Sequence, residues 1–255
     1  MGDTIEKLAQ MLAKAHRDPN LKVSATAFAE LDFAGAQIVQ AETRRLLGQT
    51  APVSKVAIDG QGRAIAAPIY GGLVATSGRT IDLPPGGWLG IEVEIAARLA
   101  RTVTPELAAR GTVGVLEAIE SFHVGIEIVG SRYDDRLAAG ANGALADNMN
   151  TAGYVWSPAP WTRGIDVANL PIVVAIDGAV RWEGRSKAPF GELLDPVIAY
   201  AKRPLAFSAL DAGMLVTTGT LCGLIEVGTP THISARIADA AAVEFTVRHA
   251  AQSRS

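Results

Sequence analysis

The chain has 255 residues, 49% of them hydrophobic and 19% charged, with a formal net charge of −3. So large an apolar fraction can fill a substantial core and excludes an intrinsically disordered chain. The slight acidity, with no dense basic block, argues against nucleic acid or an anionic membrane as partner, and the lone Cys222 excludes an intramolecular disulfide.

The first residues, Met-Gly-Asp-Thr-Ile-Glu-Lys, lack the basic and apolar regions of a secretory signal. No apolar run reaches the length of a membrane span. The expectation is a soluble cytoplasmic protein. Ile5, Leu8, Leu12 and Ala15 recur at helical spacing, which predicts an amphipathic helix over 3–17. Residues 25–47 read as one or two further helices ending before Gly48. Residues 1–50 thus form a helical N-terminal cover, and 51–250 a second, strand-rich domain.

After Pro52 the texture changes. Ser54–Ile58 and Ala64–Ile69 flank Asp59-Gly-Gln-Gly62, a hairpin signal. A short strand is expected around Ile81, then a break at Pro84-Pro-Gly-Gly87, a strand over Glu92–Leu99, a turn or short helix at Pro105 and a helix over Val113–Ser121. Val124–Val129 is a strand. Pro171–Ile176 and Ala179–Trp182 form the clearest hairpin, around Asp177-Gly178. A helix follows over Leu193–Ala201, then strands at Met214–Thr218, Leu224–Val227 and within Thr231–Val247, and a frayed tail over 250–255. Hairpins outnumber βαβ units, which predicts an α+β fold. Neither a Gly-x-Gly-x-x-Gly nor a Gly-Lys-Ser/Thr phosphate loop occurs at the required position.

The chemistry concentrates in Gly90-Ile-Glu-Val-Glu-Ile95 and Gly125-Ile-Glu-Ile-Val129. A strand projects positions i and i+2 to one face, so Glu92 and Glu94 point the same way. Alternation alone also fits the solvated face of an amphipathic strand. Glutamate is a poor strand residue, however, and with Glu127 these side chains form an oxygen-donor set of the kind Mg²⁺ or Mn²⁺ prefers.

Six segments, in order, resemble the fumarylacetoacetate hydrolase superfamily, closest to its branch of 2-oxopent-4-enoate hydratases and 4-oxalocrotonate decarboxylases. They are Gln37-Ile-Val-Gln40, Ser54-Lys-Val-Ala-Ile58, Glu92-Val-Glu94, Glu127-Ile-Val-Gly-Ser-Arg132, Ala146-Asp-Asn148 and Ala212-Gly-Met-Leu-Val-Thr-Thr-Gly-Thr-Leu-Cys-Gly223. The chain departs from that pattern at Ser54, where an aromatic residue is usual, at Gly130 in place of Asp, at Met149-Asn150, and at Cys222 in place of Thr. The resemblance implies a mixed β-roll or barrel under a helical N-terminal cover, a homo-oligomer, and a metal centre of Glu92, Glu94 and Glu127 holding Mg²⁺ or Mn²⁺.

It further implies a small 2-oxo or 2-hydroxydienoic acid substrate and a hydratase of aromatic catabolism. A 2-oxo acid decarboxylase, an acylpyruvate C–C hydrolase or an inactive scaffold subunit are the alternatives. The hydrolase needs an early His or Glu base, and only Glu30 stands near residues 20–30. Lys55 is expected to steady the developing negative charge or to move a proton, its pKa lowered by partial desolvation near a cation; otherwise it is a surface lysine of a hairpin. Asp147 either relays a proton or caps its loop. Thr220 either binds the substrate carboxylate or belongs only to a tight Gly-rich turn. Arg132 pairs with a site carboxylate or forms a structural ion pair. His123 reads as structural, Glu117 and Glu120 as exposed on a helix, and Tyr154, Trp156 and Trp161 as a lid or subunit contact.

Overall fold

In a computed structural model that describes residues 2–83 and 89–249, α1 (Gly2–Arg17) and α2 (Phe33–Leu47) pack against each other at the N-terminus. Asp32 caps α2 by accepting a hydrogen bond from the Gly35 N–H at 2.7 Å, and Gly48 ends it in the left-handed region at φ 62°. Leu8 and Leu12 of α1 join Ala36 and Val39 of α2 in a small core. That core continues onto Ala57, Ile65 and Leu145, so the cover is seated on strands of the main body.

The body begins with the antiparallel pair β1 (Val53–Ile58) and β2 (Ala64–Ile69). β2 is an edge strand, which is where Pro68 is tolerated. There follow β3 (Val74–Thr76), β4 (Thr80–Leu83), β5 (Gly90–Leu99), the short helices α3 (Pro105–Ala109) and α4 (Gly111–Leu116), β6 (Ile119–Val129), α5 (Gly140–Ala146) and β7 (Thr151–Trp161). The chain closes with β8 (Pro171–Ile176), β9 (Ala179–Arg185), α6 (Asp195–Ala201), β10 (Leu215–Thr217), β11 (Ile225–Glu226), β12 (His232–Ile237) and β13 (Val243–His249). One mixed sheet runs β2-β1-β10-β5-β6-β7-β3, with β11 also on β5; the other runs β4-β13-β12-β8-β9.

This is the expected α+β architecture. The helix expected over 113–121 is shorter: α4 stops at Leu116 and Ile119 already begins β6, whose first residues pair with the end of β5. Three elements were not anticipated, β3, α5 and β7; the last takes up Tyr154, Trp156 and Trp161. Residues 84–87 and 250–255 lie outside the described residues. Among the described residues no helix is long and apolar enough to cross a membrane.

The two faces of β5 have opposite assignments. Ile91, Val93, Ile95, Ala97 and Leu99 enter the main core with Val124, Ile126 and Ile128 of β6. Burial of each large aliphatic side chain contributes roughly 1.5–3 kcal/mol. Glu92, Glu94 and Ala96 therefore face the other way. A one-residue slip would carry the carboxylates into that core, so the apolar set fixes where the acids stand.

Candidate metal centre

Strand register assembles the site row by row. Glu92 of β5 pairs with Glu127 of β6, which pairs with Tyr154 of β7. Ala96 of β5 pairs with Thr217 of β10, which pairs with Lys55 of β1. One oxygen from each of Glu92, Glu94 and Glu127 lies within 4.8 Å of the others. Glu94 and Glu127 are fully buried, and Glu92 is partly so.

Among the described residues, Lys55 is the one cation paired with this trio. Its Nζ donates to Glu127 Oε1 at 2.8 Å and stands 3.4 Å from Glu92 Oε2. With every group ionised, three negative charges against one positive leave a net −2. At such separations each like pair repels by roughly 3 kcal/mol at an effective dielectric near 20. Burial, and after it Glu127, pushes the Glu94 carboxyl well above the usual carboxylate range. Burial likewise raises Glu127, to about 7, although Lys55 pulls the other way. Burial alone would lower the Lys55 pKa, the direction expected from sequence, but Glu127, Glu92 and Glu94 together overcome it and hold the ammonium protonated.

Both oxygens of Glu94 and Oε2 of Glu127 are buried without a hydrogen-bond partner. The Thr217 hydroxyl approaches Glu94, and the Thr151 hydroxyl approaches Glu127, without completing a hydrogen bond. Buried carboxylate oxygens are ordinarily satisfied. Three orphaned oxygens converging from two strands fit a hard divalent cation, which prefers oxygen ligands.

Tyr154 closes the same row. Its hydroxyl is buried and unpartnered, and its pKa is pushed well up by burial and then by Glu94 and Glu127. A Cβ on Gly125 would come within 2.1 Å of that hydroxyl, so the phenol occupies the space that glycine leaves on the neighbouring strand. Sequence reading missed this role. The available signal was an isolated Gly within an apolar strand, which marks close approach by another group.

Asp147 is fully buried beneath the loop that follows α5. Its Oδ1 accepts from Arg132 Nε at 2.5 Å, and its Oδ2 from the Arg132 N–H and Ser131 hydroxyl at 3.0 Å. Arg132 also donates to the carbonyls of Asp147 and Thr151. The pair clamps a loop in which Asn148, Met149 and Asn150 have φ of 51°, 54° and 59°. Consecutive left-handed residues other than Gly are costly, and such strain persists only where surrounding contacts enforce it.

Thr220 donates to the Gly223 carbonyl at 3.0 Å, closing its own turn. The Leu221 N–H stitches that turn onto the Val93 carbonyl at 2.8 Å, between Glu92 and Glu94. Gly219 has φ 96°, and a Cβ there would meet Phe190 at 2.8 Å, so the turn requires glycine. His123 shares the carboxylate face but spends its ring nitrogens on the Ser157 carbonyl and Ser121 hydroxyl and packs edge-on against Trp156. Glu117 and Glu120 are exposed, each paired with surface arginine.

No protein-family model matches the chain, and no curated protein matches it in sequence. Solved structures do match it. The 4-oxalocrotonate decarboxylase of Pseudomonas putida G7, complexed with magnesium and adipate, superposes with TM-score 0.78 at 19% identity, covering 97% of this chain and 98% of that one. The same enzyme complexed with calcium and acetate matches equally, at 20% identity. The 2-hydroxyhepta-2,4-diene-1,7-dioate isomerase of Mycobacterium marinum superposes with TM-score 0.58 at 20% identity, over 80% of this chain and 77% of that one. The chain therefore has the fumarylacetoacetate hydrolase fold, and the resemblance read from its motifs is borne out at that level.

Proposed function

We propose that this chain is a divalent-metal-dependent lyase of short 2-oxo or 2-hydroxydienoic acids, foremost a hydratase converting a 2-oxopent-4-enoate-type substrate to a 4-hydroxy-2-oxo acid. The observation that carries the reading is the convergence of Glu92, Glu94 and Glu127 within 4.8 Å, three of their oxygens buried and unpartnered. These residues would hold Mg²⁺ or Mn²⁺. A bound ion would supply Lewis-acid polarisation of a substrate carbonyl and neutralise negative charge developing next to it.

The chain's own groups do the rest. Hydration consumes one water, delivering hydroxyl to one carbon and a proton to another. Lys55, protonated and hydrogen-bonded to Glu127, would give that proton or steady the developing negative charge. Tyr154 keeps its proton and offers a fixed O–H dipole beside Glu94 and Glu127. Asp147 acts through position: with Arg132 it holds the strained 148–150 loop beside the site. The Thr220 turn borders the carboxylates and gives the substrate end a polar edge.

A second reading, decarboxylation of a 2-oxo-enedioate, is favoured by the near full-length likeness to a decarboxylase. Loss of the ultraviolet absorbance of 2-hydroxypenta-2,4-dienoate with Mg²⁺ or Mn²⁺ present tests hydration. CO₂ evolved from 2-oxohex-3-enedioate identifies the decarboxylase, and cleavage of an acylpyruvate the hydrolase. Inactivity on all three, with Glu127→Gln altering only assembly, would leave a scaffold subunit. A homo-oligomer in the cytoplasm is the setting this reading carries with it.

A further inference from the structure

An open groove of about 770 Å³ runs over the cover, between the start of α1 and α2. Its apolar lining includes Ile5, Leu31 and Ile38, and its acidic lining Glu6, Glu30 and Glu42. Helical spacing explains Ile38. α2 buries Ala36, Val39 and Thr43, while Ala34, Ile38 and Glu42 follow one another at i+4 along a different face. Ile38 is 55% exposed. A single exposed aliphatic is ordinary; this one lies in a concave, acid-lined site. No described lysine, arginine or histidine lines the groove. Arg45 engages Glu42, and Glu6 accepts from Gln10, but Glu30 has no partner among the described residues. The same face of a second copy would be repelled by like charge. The groove therefore suits a different surface, one with an apolar side chain beside an unpaired cation.

The β8–β9 hairpin presents such a surface. Ala179, Val180 and Arg181 are exposed in succession, Val180 to 62%, although a regular strand turns alternate residues to opposite faces. The pairing shifts at this point. Val174 pairs with Trp182 and Ala175 with Val180, which leaves Arg181 opposite no residue. A bulge of this kind re-aims side chains and hinders a further strand from joining the edge. β9 is the outer strand of its sheet, so it meets other molecules through Val180 and Arg181 rather than through its backbone. Among the described residues nothing pairs with the Arg181 guanidinium. The other exposed aliphatics lack this combination: the arginines near Val113 and Leu116 are bound by Glu117, and Arg136 beside Leu137 is already engaged. The groove belongs to the cover seated on β1 and β2, whereas the bulge stands on the outer strand of the other sheet.

We propose that the groove receives the Val180–Arg181 bulge of a second copy of this chain, Val180 against Ile38 and Arg181 against Glu30. The contact is head-to-tail: each copy offers one bulge and one groove, on different parts of its surface, and the contact passes from copy to copy as in a ring. The inference rests on the homo-oligomer of the reading above and assigns its interface; the metal centre takes no part in it.

Analytical ultracentrifugation of the full chain tests this. Ile38→Glu, Glu30→Arg and Arg181→Glu should each weaken self-association roughly tenfold or more. Their circular dichroism should match the native protein, because all three positions are exposed. Combining Glu30→Arg with Arg181→Glu should restore association to within about threefold of native, since the exchanged charges face each other again. Ile38→Glu keeps the bulge and Arg181→Glu keeps the groove, so a mixture of the two should form one-to-one pairs through the single contact left intact. An oligomer that withstands the single charge reversals, or that the double exchange fails to restore, would overturn this contact and leave the homo-oligomer standing. A native chain that sediments as a monomer would overturn both.

Discussion

At the scale of single residues, one phenol stands beside the carboxylates proposed to hold a cation. Tyr154 faces Glu94 and Glu127 with an unpartnered, buried hydroxyl. Groups that orient metal-binding carboxylates from behind typically change metal affinity by roughly ten- to hundredfold. Tyr154→Phe keeps the ring and removes the hydroxyl; its Mn²⁺ affinity, read by electron paramagnetic resonance, should fall by that factor with little change in melting temperature. The acids were legible in the sequence because they violate strand preference in a fixed parity. Tyr154 was not, because its significance lies in a cross-strand row with Glu127 that only the register of β6 and β7 creates. Asp147 was legible as a motif, but its engagement by Arg132 depends on side-chain geometry that spacing does not carry.

At the scale of elements, the loop between α5 and β7 spends stability on shape. Met149 adopts φ 54° between two left-handed asparagines. A left-handed L-residue costs roughly 1–2 kcal/mol, whereas glycine gives up about 0.5–1 kcal/mol in chain entropy. Met149→Gly relieves that backbone cost but removes a side chain packed on the N-terminal core, which at full burial would contribute roughly 1.5–3 kcal/mol, so thermal stability should fall by about 1 kcal/mol, while KM rises as the wall beside Lys55 loosens. Calorimetric melting with a parallel KM measurement would separate the two effects. The β1–β2 hairpin was readable from its Asp-Gly-Gln-Gly turn. The end of α4 was not: apolar residues over 113–122 fit a helical period, and pairing of Ile119 and Ser121 with β5 outweighs it.

At the scale of the whole molecule, the cover is tied to the body through a histidine. His16 of α1 is partly buried, edge-on to the Tyr70 ring at 5.3 Å, with its Nε2 buried and unpartnered. Burial, then the charge of Arg132, lowers its pKa well below the ordinary value of 6.5. The folded protein therefore binds fewer protons than the unfolded chain below that value, so stability drops as pH falls through 6.5 and below. Melting temperatures from pH 8 to 5 should decline more steeply in the native protein than in His16→Phe; parallel curves would refute the linkage. The cover's helices were legible from their period. The five-stranded sheet was not, since β4 pairs with β13 across most of the chain, and no local pattern specifies a partner that far away.

The alternation along β5 also restricts how this protein can diverge. Between Gly90 and Ala97 the strand can gain or lose residues only in pairs, because an odd change would swap its acids with its aliphatics. The irregularity in pairing at Arg98 and Leu99 is the one place on β5 where an odd change can be absorbed. Length variation among descendants of this chain should gather at that point and spare the stretch before it.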